Sequence, residues 1–266
     1  MLITIPFCER DLKQAEFMVG WMDDLGGCRK HNCLLVADSR IPDEDTSRLR
    51  RVCKLPFKTV TLIKTPYAIK LSKTGDSPWP VGPNWAFYST AMYVAMTSKE
   101  PWLWLEPDCV PLCESWVDKI EAEYQTGQKP FLGPVIETQN KSFKPQYMNG
   151  TAVYPTNALK YFHGAMVDFL KGAGHAFDVA GSAQTVPNCY FTSLIQHGYT
   201  DKAGINHWGT HPNVPLVFKE AIEAGDGDNV LTPASIQPEA VLFHPCKNSS
   251  LIDLLRKRRE KVKVAA

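Results

Sequence analysis

Two carboxylates, Glu106 and Asp108, follow the apolar run Trp102-Leu103-Trp104-Leu105, with only Pro107 between them. In an extended chain, residues i and i+2 point the same way, so both acids would share one side of a strand tip. The intervening proline has no backbone N–H to donate. Two hard oxygen ligands at the carboxyl end of a buried strand suit Mg²⁺ or Mn²⁺ carrying a diphosphate. A core strand that simply exits into solvent through acidic residues would read the same way. A second apolar run, Leu242-Phe243, is followed by His244-Pro245-Cys246-Lys247. Its imidazole could be a third protein ligand to a metal, and its ammonium could counter phosphate charge as a point cation. A lone histidine in an apolar setting is more often a satisfied core residue.

These side chains need elements to hold them. The first half alternates strand and helix: a strand over 2–6, then a helix over 11–25 closed by Gly26-Gly27. An apolar run over 33–38 ends in Asp38, and charge patterning marks a helix over 43–53. A strand over 58–63 follows, then a helix over 84–97 with Asn84 as N-cap after Pro83. The Trp102 strand precedes a helix over 114–126. Nearly unbroken apolar strands alternating with helices indicate a parallel sheet covered on both faces. Ligands of such sheets sit outside the carboxyl ends of the strands, where both Asp38 and the Glu106/Asp108 pair fall.

The second half is less regular. Strands are expected over 131–136 and 150–154, with Asn149-Gly150 at a turn, and a helix over 157–172. Gly, Pro and Asn are dense over 173–188 and 204–215, which predicts long loops. From Ser250 the tail is amphipathic and then basic, through Arg256 and Arg258 to Lys261. This layout reads as one α/β domain over 1–266, regular over 1–126 and irregular over 127–266, ending in a basic helix.

Composition excludes several classes. The 266 residues are 44% hydrophobic and 21% charged, as in an ordinary globular protein, and the formal net charge of +1 gives no global pull toward nucleic acid. No apolar run approaches the roughly 18 residues that span a bilayer. The opening Met-Leu-Ile-Thr-Ile-Pro has no basic region or cleavage site of a signal peptide, so a cytosolic location is expected. The eight cysteines contain no CxxC pair and mostly sit in apolar segments, which favours reduced structural thiols over zinc or disulfides.

A carboxylate-x-Asp pair after a hydrophobic strand, an Asn-Gly turn some way downstream and a late His-x-x-Lys together resemble a GT-A glycosyltransferase. The resemblance implies a Rossmann-like, mixed and mostly parallel sheet flanked by helices, a nucleoside-diphosphate sugar, with UDP favoured, and Mn²⁺ or Mg²⁺ as cofactor. It makes 1–126 the nucleotide-binding half and 127–266 the sugar- and acceptor-binding half. It places Pro6, Phe7 and Asp38 against base and ribose, and Glu106 and Asp108 in the role of the DxD motif, with Asp108 the more direct metal ligand. Glu in place of the first Asp departs from the motif. Asn149 and Gly150 would line the sugar, while His244 and Lys247 close over metal and phosphates. The Gly75–Asn84 stretch, rich in Gly and Pro around Trp79, suits a lid or an ordinary connection, and Asn84 is placed among the nucleotide-sugar contacts.

The WPxGPN stretch (79–84) and the FHPCKNSSLIDLL ending (243–255) are also similar to phage-encoded transferases that glycosylate hydroxymethylated pyrimidines, such as hydroxymethylcytosine, in viral DNA. For such an enzyme the location would be the host cytoplasm. Arg256 and Arg258 would hold acceptor phosphates, and Trp208 would stack against a flipped base. The basic run also fits a solvated helix end whose cations complement the dipole. An inverting reaction needs a base, for which Asp178 is the candidate ahead of His163, His175, His207 and His211; a retaining reaction, equally open, needs none, and Asp178 equally fits a loop cap. Three rivals stay open. They are transfer to polysaccharide, lipid or protein, a nucleotidyltransferase (against which Pro6-Phe7-Cys8-Glu9 lacks a glycine-rich basic loop), and a nucleic-acid-binding module without catalysis.

Overall fold

The computed structural model describes residues 1–66, 80–138, 146–172, 174–198, 205–206, 215–227 and 229–265. In chain order the first half runs β1 (Leu2–Phe7), α1 (Leu12–Asp24), β2 (Cys28–Ala37), α2 (Asp43–Cys53), β3 (Phe57–Lys64), α3 (Val81–Thr97), β4 (Trp102–Trp104), β5 (Val110–Pro111) and α4 (Trp116–Gly127). The second half runs β6 (Phe131–Gly133), β7 (Val135–Thr138), β8 (Gln146–Met148), β9 (Val153–Tyr154), α5 (Leu159–Leu170), α6 (Phe177–Ala180), α7 (Ser182–Thr185), β10 (Cys189–Phe191), β11 (Ile195–His197), β12 (Ile205–Asn206), β13 (Val217–Phe218), β14 (Val230–Leu231), β15 (Leu242–His244) and α8 (Ser250–Ala265).

The central sheet has seven strands in the order β10-β6-β9-β4-β1-β2-β3. β9 runs antiparallel to β4 and β6, and the other neighbouring pairs are parallel. Alternation along the strands explains the two apolar layers. Ile3, Ile5, Cys33, Leu35, Leu103 and Leu105 pack with α1, α2 and α4. Leu2, Leu34, Val36, Trp102 and Trp104 pack with α3 and α5. Strands buried on both faces are why the first half shows unbroken apolar runs. Three smaller sheets complete the fold: β11-β15-β5, β12-β7-β8 and β13-β14. All eight cysteines are free thiols. Among the described residues no helix is long and apolar enough to cross a membrane.

Three expectations change. The helix expected to start at Asn84 starts at Val81, and the Asn84 N–H already bonds to the Pro80 carbonyl (3.0 Å), so Asn84 lies inside the first turn and is not the N-cap. The end of the Gly75–Asn84 stretch is therefore helical, while 75–79 lie outside the described residues. The loop expected over 173–188 contains α6, α7 and a 3₁₀ turn at Val186–Asn188.

Candidate active site

β4 ends one residue before Leu105, and the chain then turns: the Cys109 N–H bonds to the Glu106 carbonyl (3.0 Å). By strand parity Glu106 continues the Trp102/Trp104 face toward α3 and α6. A turn, not the extended alternation that the sequence suggested, therefore sets the relation of the two acids, and Asp108 meets His244 of the small sheet. β15 pairs antiparallel with β5, Phe243 opposite Val110, which brings the next residue, His244, back over Asp108. The Cys246 N–H closes this junction on the Asp108 carbonyl (2.7 Å). Gln14 of α1 braces it, donating to the Cys246 carbonyl (3.1 Å) and accepting from the Ser249 hydroxyl (3.1 Å).

As a result His244 Nε2 lies 3.2 Å from Glu106 Oε2 and 3.3 Å from Asp108 Oδ1. Burial disfavours a charged imidazole here, but Asp108 and Glu106 overrule it and push the His244 pKa up to about 10. Burial likewise would raise Asp108, yet the charge and hydrogen bond of His244, with Lys247 nearby, hold its carboxyl below the usual range. The two carboxylates hold the imidazole protonated, so a divalent ion such as Mn²⁺ or Mg²⁺ would displace that proton in taking His244 as a ligand. Asp108, Cys109 and His244 have potential ligand atoms within 4.8 Å of one another, and Glu106 touches the same imidazole from outside that group; burial and Asp108 drive the Cys109 pKa far up, so it stays a thiol and is a poor match for a hard cation.

A second acidic corner lies on the other side of Glu106. β9 pairs with β4, placing Gly150 where an added Cβ would meet Glu106 Oε1 at 3.1 Å, the Phe177 ring at 3.2 Å and Asp178 Oδ2 at 3.8 Å. Burial first, and the Glu106 charge second, raise the Asp178 pKa to about 7, against opposing backbone N–H contacts from Val179 and Gly150. Asp178 is thus a carboxyl poised to exchange a proton near neutrality.

Other expected residues fall as follows. Asp38 follows β2 and is clamped by Arg40, whose Nε and Nη2 donate at 2.9 and 2.7 Å; that hydrogen bond depresses its pKa. Pro6 and Phe7 end β1 beside it, with the Phe7 ring buried in the core. Asn149 Oδ1 accepts from the Thr151 N–H (3.0 Å), so it shapes the turn ahead of β9. Lys247 is exposed. Asn84 is only 1% exposed, and both ends of its amide bond to backbone at 175 and 177, in place of the expected nucleotide-sugar contact. Arg256 pairs with Asp24 (2.8 Å) over the Phe17 ring, and Arg258 pairs with Glu220 (2.8 Å). Trp208, His207 and His211 lie outside the described residues.

Sequence reasoning missed His197, which stands in register beside His244 across β11 and β15, with ring centroids 5.3 Å apart. Burial, then the neighbouring His244 charge, pushes its pKa well down, so it is neutral. No local motif marks it. Arg40 was readable, as a cation two residues after Asp38.

No protein-family model matches the sequence, and no curated protein matches it. Solved structures do match the fold. The galactosyltransferase LgtC, in complex with donor and acceptor sugar analogs, aligns over 92% of this chain and 87% of its own, with a TM-score of 0.56 at 8% identity. Mouse xyloside xylosyltransferase 1 aligns over 91% and 96%, with a TM-score of 0.51 at 9% identity. The glycosyltransferase GlyE of Streptococcus pneumoniae TIGR4 aligns over 91% of this chain but 53% of its own, with a TM-score of 0.50 at 9% identity. The mixed, mostly parallel sheet flanked by helices is the GT-A glycosyltransferase fold.

Proposed function

We propose that the protein is a metal-dependent glycosyltransferase that takes a sugar from a nucleoside-diphosphate sugar, UDP-linked by preference. The favoured acceptor is the hydroxymethyl group of a 5-hydroxymethylpyrimidine in phage-type DNA. One observation supports the reading: past the end of β4 the His244 imidazole lies within 3.3 Å of Asp108 and 3.2 Å of Glu106, in a fold shared with glycosyltransferases. Asp108, His244 and Glu106 would hold Mn²⁺ or Mg²⁺, which supplies charge stabilisation to a departing diphosphate. Lys247 adds a cation beside the phosphates. Pro6, Phe7 and Asp38 edge the nucleotide, and Asn149 and Gly150 the sugar. Asp178 takes the proton of the acceptor hydroxyl as that oxygen bonds to the sugar carbon, and the nucleoside diphosphate leaves with the electrons of the broken bond.

The DNA acceptor is supported by the sequence resemblance, with Arg256 and Arg258 assigned to phosphate contacts in exchange for their present carboxylate partners. A saccharide acceptor is the second reading, favoured by the acceptor sugar analog bound to LgtC and by the name of the mouse xylosyltransferase. A screen of UDP-sugars with Mn²⁺, against hydroxymethylated DNA and against small saccharides, separates them. Mass spectrometry of digested nucleosides should show a hexose added to the modified pyrimidine. Hexose found only on saccharides would overturn the DNA reading, and no transfer to either would overturn sugar transfer itself.

A further inference from the structure

We propose that Asn84 is a positioning residue for Asp178, acting as a strap between α3 and the start of α6; this rests on the glycosyltransferase reading above. α6 has four residues, too few to hold itself as an isolated helix. Its place is fixed from α3. Asn84 Nδ2 donates to the His175 carbonyl (2.8 Å), and Asn84 Oδ1 accepts from the Phe177 N–H (2.8 Å). The single amide therefore grips the backbone on both sides of residue 176, ninety-odd positions away in sequence. One turn further along α3, the Phe87 ring stacks on the Phe177 ring with centroids 3.8 Å apart and planes 7° apart. Asn84 and Phe87 are i and i+3 on one helix face, so one face holds both the backbone and the side chain of the residue preceding Asp178.

The residue type matters. An amide offers a donor and an acceptor within one short side chain, matched to a carbonyl and an N–H two residues apart. Alanine would leave both backbone groups buried without their partner. Aspartate would keep an acceptor for the Phe177 N–H and turn a second oxygen toward the His175 carbonyl. The strap ends 1 residue short of the Asp178 carboxyl, whose Oδ2 faces the Gly150 position between it and Glu106. A carboxylate that must reach an acceptor hydroxyl depends on placement finer than a loop provides.

The test uses the 266-residue chain with Mn²⁺ and a UDP-sugar on whichever acceptor the screen identifies. Asn84→Ala should lower kcat about 30-fold while the affinity for UDP and Mn²⁺ stays within about twofold, because misplacement by an ångström affects the reaction more than binding. Asn84→Asp should fall between it and the parent. In an Asp178→Asn background, Asn84→Ala should cost less than about threefold, since the effect passes through Asp178. Hydrogen exchange over 174–181 should quicken at least about tenfold in Asn84→Ala, with the central sheet unchanged. If Asn84→Ala does not fold, Asn84→Asp carries the same cycle. Additive losses in the double variant, or unaltered exchange at 174–181, would overturn the positioning role. A parent protein that transfers no sugar, with exchange quickened as expected, would overturn the catalytic reading and reduce the strap to a structural contact.

Discussion

Asp108 and Asp178 flank the same glutamate and have opposite fates. On one side of Glu106, Asp108 meets the His244 imidazole and Lys247 and stays ionised in spite of burial. On the other side, Asp178 meets no cation among the described residues; burial and the Glu106 charge leave it half-protonated near pH 7. The lesson is that burial pushes both carboxyls toward the neutral form, and a neighbouring cation overrules it only at Asp108. Two carboxylates with pKa values pushed apart divide the labour between a charge-holding site and a proton-exchanging one. Glu106 is the shared wall, and Gly150 is the gap through which it faces Asp178.

Removing the ionised member should have the largest effect. Asp108→Ala deletes a ligand and leaves His244 beside one carboxylate in place of two. Loss of several kcal/mol of charge stabilisation corresponds to a fall in transfer of about 10³-fold or more, and metal-dependent UDP binding should vanish with it. Calorimetry with and without Mn²⁺ reads the binding. UDP affinity equal to the parent's would place the diphosphate elsewhere and break the comparison.

Asp178→Asn tests the other side. Transfer should fall about 10²- to 10⁴-fold, as for loss of a general base, while UDP affinity is kept. The acid limb of kcat near pH 7 should disappear. Stability carries the same signature with a definite sign. The folded pKa of about 7 lies above the ordinary 3.8, so the native state binds more protons than the unfolded chain between these values. Parent stability therefore falls as pH rises from about 4 to about 7. In EDTA, Asp178→Asn should match the parent near pH 4 and exceed it by about 1–3 kcal/mol near pH 8, a figure reduced for the residue's partial exposure. A stability difference independent of pH would mean that Asp178 titrates as an ordinary surface acid.

The comparison also shows how much was legible beforehand. Each apolar run of β1, β2 and β4 reads as a strand because both faces are covered, and the acids that follow mark the ligand edge. That two acids end this strand was visible, but how they are placed was not: extended alternation was the natural inference, and a turn at Glu106–Cys109 sets their positions. Asp178 was visible only as an acid in a Gly-rich stretch. A four-residue helix has no periodicity to detect, and its partners Asn84 and Phe87 lie on an element read for its own cap. Likewise His197 became a neighbour of His244 only through strand pairing between distant segments. Contacts within a run are written in its pattern, whereas contacts between a short helix and a distant one are not.

The finest probe fills the gap between the two corners. Gly150 is not in the left-handed region, so alanine is tolerated by the backbone, and the question is space. An added methyl would lie 3.1 Å from Glu106 Oε1 and 3.2 Å from the Phe177 ring. The ring is held by its stack on Phe87, so the Glu106 carboxylate is the group that yields. It can move toward His244, which already binds its other oxygen. That movement takes negative charge away from Asp178, so the Asp178 pKa drops and the acid limb of kcat shifts below 7 by a few tenths of a unit. The expected loss of stability is about 1 kcal/mol or less, at the low end for overpacking, and the plateau rate should fall only about threefold. An acid limb moved upward would show that the methyl desolvates Asp178 more than it relieves it of Glu106, leaving burial in control of that side, unlike the Asp108 side, where the cation overrules it.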